Sequence, residues 1–74
     1  MIKIKNYEAI KAFGQRVRNL RNSQELSQEQ LANLADIPLS QVGRIERGEI
    51  NPTLSTIYAL ANALKIQVND FFKY

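Results

Sequence analysis

The amino-acid sequence predicts an all-α domain of five helices, and three observations carry that expectation. Large apolar residues recur at helical spacing through most of the chain. Side chains that cap helix ends stand where those runs begin, and no strand-rich segment, repeat or low-complexity tract follows residue 7. With 74 residues the chain reads as one domain, near the lower size at which a single hydrophobic core holds a fold without disulfides or metals.

Helix 1 is expected from Tyr7 to about Arg21, with Ile10, Phe13, Val17 and Leu20 on one face and Lys11, Arg16, Arg18 and Arg21 mostly off it. The polar stretch Asn22 to Glu25 ends that pattern. Ser27 then reads as an N-cap, Gln30 completes a capping box, and Leu26 and Leu31 are placed as a hydrophobic staple. Helix 2 therefore starts at Gln28 and turns Leu31, Leu34 and Ala35 inward. It runs out before Pro38, because the residue preceding a proline disfavours helical backbone and Asp36 tolerates a positive φ. Helix 3 follows almost at once, with Val42 and Ile45 inward and Gly48 placed to close it. Two short helices on a tight turn make a helix-turn-helix. Thr53 reads as the N-cap of helix 4, whose inward positions are Leu54, Ile57, Ala61 and Leu64; "KIQVNDFFKY" adds a short fifth helix with Val68, Phe71 and Phe72 apolar.

Ten Lys and Arg against seven Asp and Glu leave a net charge of +3, which permits nucleic-acid binding without demanding it. The chain has no cysteine and no histidine, so disulfides, the usual transition-metal sites and the commonest base for a Ser or Thr nucleophile are all missing. Its carboxylates, Glu8, Glu25, Glu29, Asp36, Glu46, Glu49 and Asp70, are scattered without paired spacing, so an enzyme is discounted and no cofactor or metal is expected. No apolar run approaches the ~20 residues of a membrane span, and "MIKIKNYEAI" lacks a continuous apolar stretch of signal-peptide length. The expectation is a cytoplasmic protein with no membrane partner.

The segments "LSQEQLA" (Leu26 to Ala32), "RIERG" (Arg44 to Gly48) and "NPTL" (Asn51 to Leu54) stand in an order and at a spacing that resemble the Xre or Cro/phage-repressor family of helix-turn-helix transcriptional regulators, over roughly residues 8 to 72. The resemblance implies a repressor-like DNA-binding domain whose third helix lies in the major groove of double-stranded DNA. Carried over by position, the base-facing candidates are Leu39, Ser40, Gly43 and Arg44, flanked by Gln41. Arg pairs bidentately with guanine, Ser with several bases, and Leu39 suits a thymine methyl. Outside a helix-turn-helix, Ser40, Gln41 and Arg44 would read as a solvated helix face.

Gly43 raises its own question, because a glycine in mid-helix costs about 1 kcal/mol relative to alanine. Placed on the exposed side, one residue before Arg44, it would let the backbone approach another surface closely, either the groove or a neighbouring helix. The resemblance places phosphate contacts at Ser27, Gln28, Asn51 and Thr53, where helix N-termini present open N–H groups to an anion. Capping alone explains Ser27 and Thr53, but not Gln28. Arg47 adds a salt-dependent phosphate contact or is simply solvated near a helix C-terminus. Arg21 and Glu46 fall at family positions that form an ion pair between helices 1 and 3.

Three positions depart from the family pattern. Pro38 replaces a capping Ser or Thr and moves the expected cap to Ile37, Lys65 stands where a glycine often closes helix 4, and Gln67 is a weak N-cap for helix 5. The first seven residues lie outside the resemblance and read as a frayed end, a basic arm carrying Lys3 and Lys5, or a strand across a dimer. One helix-turn-helix reads only a few base pairs, so a bacterial or phage homodimer on an inverted repeat is expected, with Val68, Phe72 and Tyr74 as interface candidates. The rival readings are a protein-interaction adaptor that keeps the fold and an antitoxin with a protein partner.

Overall fold

The structure, a computed structural model, describes residues 6–73. It is all-helical over those residues, in the order α1 (Tyr7–Ser23), α2 (Gln28–Ala35), α3 (Leu39–Glu46) and α4 (Leu54–Leu64), closed by a 3-10 helix over Val68–Phe72. The expected fifth helix is thus a 3-10 helix rather than an α-helix. Its Asp70 side chain accepts from the Gln67 N–H at 3.0 Å, and a five-residue piece this short gains little from α geometry.

Each α-helix starts on a side-chain cap except α3. The Ala9 N–H donates to Asn6 Oδ1 at 3.0 Å, so Asn6 caps α1 and Tyr7 opens it, and the Lys3 and Lys5 arm lies outside the described residues. Ser27 and Gln30 form the capping box expected of them, at 3.0 and 2.8 Å. Thr53 accepts from Thr56 at 3.2 Å. At α3 the N-cap is Pro38 and not Ile37: its backbone is extended, with φ −61° and ψ 143°, and it carries no capping hydrogen bond. Proline's fixed φ suits that extended position as well as it suits the first helical turn.

The helices end on left-handed residues. Glu25, Asp36 and Lys65 have φ of 58°, 57° and 58°, and Gly48 has φ of 71°. Behind Asp36 the Ile37 N–H returns to the Ala32 carbonyl at 3.1 Å, the pattern that turns the chain sharply from α2 into α3. The Gln24 amide donates to the Leu64 carbonyl at 2.7 Å, so the end of α1 also satisfies the end of α4.

Val17, Leu31, Val42, Ile45, Leu60, Leu64 and Phe71 form the fully buried centre of the core. Phe13 meets Phe71 edge-on at 4.9 Å between ring centroids. Two expected inward residues face out: Leu34 is 59% exposed and Leu54 68%. The buried arc of α2 runs through Leu31, Ala32 and Ala35, which turns Leu34 to solvent, while α4 buries Leu60, a residue the spacing did not single out. Gly14 sits where α1 crosses α3, and a Cβ there would run into the Ile45 carbonyl oxygen, so only glycine permits that crossing.

Candidate nucleic-acid interface

The turn between α2 and α3 leaves the outer side of α3 uncovered. Leu39, Ser40 and Arg44 are exposed and Gln41 is half-buried. Among the described residues Arg44 makes no ion pair and no side-chain hydrogen bond, unlike Arg18, Arg21 and Arg47. Its guanidinium is therefore a full set of donors on an exposed helix, the form in which arginine reads a guanine edge.

Gly43 is not on that exposed side. It is buried, and what covers it is Arg47: a Cβ at Gly43 would stand 3.0 Å from Arg47 Nη1. The Arg47 side chain folds back one turn across α3, and its Nε donates to Glu49 Oε2 at 2.7 Å. The glycine gives room to an arginine of its own chain, so close approach of a groove to the Gly43 backbone would first require Arg47 to lift away.

The scaffold beneath this surface is polar. Glu46, the last residue of α3, has a fully buried side chain that accepts from Arg21 Nε at 2.6 Å and Nη2 at 2.9 Å, from Gln28 Nε2 at 3.0 Å, and weakly from Arg18 Nε at 3.4 Å. Arg21 also donates to the Leu26 carbonyl at 2.8 Å. One carboxylate thus ties α3 to both α1 and α2. Burial pushes the Glu46 carboxyl up, but the hydrogen bonds from Arg21, Gln28 and Arg18 together with the Arg21 charge outweigh it and hold the group below its ordinary value. The Glu46 hydrogen bond raises Arg21 in turn.

The residues expected at phosphates flank α3. Ser27 and Thr53 are exposed caps of α2 and α4, Asn51 is exposed in the loop between α3 and α4, and Gln28 is half-buried with its amide given to Glu46. Gln28 therefore has a structural partner that its sequence position did not disclose. At the far end, Phe72 is 51% exposed while its ring stacks on Phe13 at 6.0 Å, Val68 is half-buried against the core, and Tyr74 lies outside the described residues.

An exposed short helix, presented by a tight turn and anchored by a buried carboxylate, is the architecture of a helix-turn-helix protein. The chain belongs to the helix-turn-helix family HTH_3, whose model matches residues 17–71; members of that family are DNA-binding transcriptional regulators and not enzymes. It is 46% identical over 56 residues to the immunity repressor protein of Bacillus phage phi105, matching 76% of this chain and 39% of the repressor. It is also 46% identical over 56 residues to control protein C.SmaI of Serratia marcescens, matching 76% of this chain and 67% of that protein. The chain thus spans about two fifths of the phage repressor's length. The crystal structure of the restriction-modification controller protein C.AhdI from Aeromonas hydrophila superposes with a TM-score of 0.85 at 43% identity, covering 90% of this chain and all of that one. Among the described residues no helix is long and apolar enough to cross a membrane.

Proposed function

We propose that this chain is a sequence-specific regulator that binds an inverted-repeat operator as a homodimer and acts as a repressor or autoregulator. The observation that carries the reading is Arg44, exposed on α3 and without a partner among the described residues, while the neighbouring arginines are paired. In this reading α3 enters the major groove, Arg44 takes a guanine, and Ser40, Gln41 and Leu39 meet the adjoining bases. The N-termini of α2 and α4, with Ser27, Gln28, Asn51 and Thr53, lie along the phosphates. Two relatives named as control proteins and one named as an immunity repressor support regulation as the outcome.

Dimerisation is assigned to the apolar surface around the end of the chain. Leu54 and Tyr58 lie one turn apart on α4 and are exposed, as is Phe72. Ile57 of the same helix and Phe72 line, with Ala9, Ile10, Phe13, Asn51 and Pro52, a shallow apolar cavity of about 130 Å³. Of the sequence candidates Val68, Phe72 and Tyr74, Phe72 lies on this surface, Val68 packs on the core and Tyr74 lies outside the described residues; Leu54 and Tyr58 are further exposed apolar residues. Sedimentation of Leu54→Asp should show a shift toward monomer with helicity retained.

Selection of binding sites from a random duplex pool at moderate salt tests the whole reading. An inverted repeat with half-sites about one turn, ~34–36 Å, apart is the expected product. Arg44→Ala should then weaken the selected site by about 1–3 kcal/mol with an unchanged melting temperature. A folded protein that enriches no sequence would overturn it.

A further inference from the structure

The pair made by Arg47 and Glu49 lies at the end of the reading helix and has no evident value to the fold. Both side chains are about half exposed, and such pairs contribute little to stability. A carboxylate just past a helix C-terminus also sits at the wrong end of the helix dipole. Yet its position is fixed by the backbone: the Gly48 N–H returns to the Ile45 carbonyl at 3.0 Å and the Glu49 N–H to the Arg44 carbonyl at 2.9 Å. Glu49 Oε2 then takes Arg47 Nε at 2.7 Å, with Oε1 3.4 Å from Nη2. The Arg47 hydrogen bond outweighs desolvation and, with lesser help from the charges of Arg47 and Arg44, keeps the Glu49 carboxyl below its ordinary value. So the carboxylate stays ionised and holds Arg47 in place.

Resting on the DNA-binding reading above, we propose that Glu49 is a specificity-determining residue that holds Arg47 folded back over Gly43, so that DNA of arbitrary sequence must break this pair before Arg47 can reach a phosphate. Non-specific affinity comes almost wholly from cations that displace counterions from the backbone. An arginine held by its own chain is withdrawn from that supply. Gly43 completes the device, since the absent Cβ leaves the space in which the guanidinium lies. Base contacts can hold α3 on an operator with Arg47 still paired to Glu49, so the pair costs that complex nothing. A random duplex, held by phosphates alone, gains Arg47 only by breaking it.

Fluorescence-anisotropy titration of a random-sequence duplex over a salt series tests this with Glu49→Gln and Glu49→Ala. Each should bind about two- to five-fold more tightly than the unsubstituted chain, the range set by an exposed ion pair. The slope of log K against log salt should steepen by about one for the added phosphate contact. In an Arg47→Ala background the same substitutions should change neither quantity. Unchanged binding by both Glu49 variants overturns the inference, and so does an equal gain with Arg47 absent, which would make Glu49 a simple repeller of phosphate. If the unsubstituted chain binds no duplex even at low salt, the DNA-binding reading itself falls and takes this inference with it.

Discussion

At the residue scale, Gly43 sets two opposing effects against each other. Alanine would restore about 1 kcal/mol of helix propensity, and its Cβ would press on the tip of Arg47, a flexible and half-exposed side chain that can give by a few tenths of an ångström. Gly43→Ala is therefore expected to raise stability by somewhat under ~1 kcal/mol in urea unfolding, while disturbing the Arg47 and Glu49 pair. Arg21 and Glu46 are different, because there the cost falls on a buried charge. Arg21→Met leaves the Glu46 carboxylate buried with only Gln28 and the distant Arg18 and should cost about 3 kcal/mol. Glu46→Gln keeps an acceptor and frees arginines of which Arg18 already reaches solvent, so its loss should be smaller in the same titration. Both residues were legible as a pair from their positions. The share of Gln28 and Arg18 in it was not, since it depends on three helices meeting at one carboxylate.

At the scale of elements, the helix starts were readable because a cap is a local event. Ser27 and Gln30 reach only three residues, and their chemistry states the outcome. Burial was less readable, since an eight-residue helix has too few turns for its apolar spacing to separate a core stripe from an outward one, and Leu34 shows the result. The end at Lys65 follows from neither. It takes φ of 58° without being glycine, and the Ile66 N–H returns to the Ala61 carbonyl at 3.0 Å to close α4. A non-glycine side chain in that conformation costs roughly 1–2 kcal/mol, partly offset by the greater unfolded-state freedom of a glycine. Lys65→Gly should therefore stabilise the fold by about 0.5–1 kcal/mol, seen as a rise of a few degrees in Tm. Gly14→Ala should do the reverse. Its Cβ meets rigid backbone at Ile45 and Glu46, not a side chain that can turn away, so α3 must shift and a loss of about 1–3 kcal/mol or more is expected by the same melt. Because Gly14 packs against the end of the reading helix, its alanine variant should also impair DNA binding, which Lys65→Gly should not.

For the whole molecule, Glu46 makes stability depend on pH in a defined direction. It is the one buried charged residue among the described residues, and two other helices, α1 and α2, supply its partners. Its folded-state pKa lies below the ordinary value of 4.5, so the stabilisation is complete above that value and drains away as pH falls through the lower, folded one. Asp70 and Glu49 are shifted the same way by Lys73 and Arg47, but at half-exposed to exposed positions where solvent screens the effect. Acid must therefore act chiefly through Glu46, and protonation there loosens α1, α2 and α3 together. Thermal melts followed by circular dichroism from pH 7 to pH 3 should show a Tm that is flat to about pH 5 and then falls. In Glu46→Gln, which has nothing to protonate at that position, the fall should be shallower, so the gap between the two proteins closes as the pH drops. Parallel curves would mean that the surface carboxylates carry the acid response and that the three-helix junction is held by its hydrogen bonds irrespective of charge.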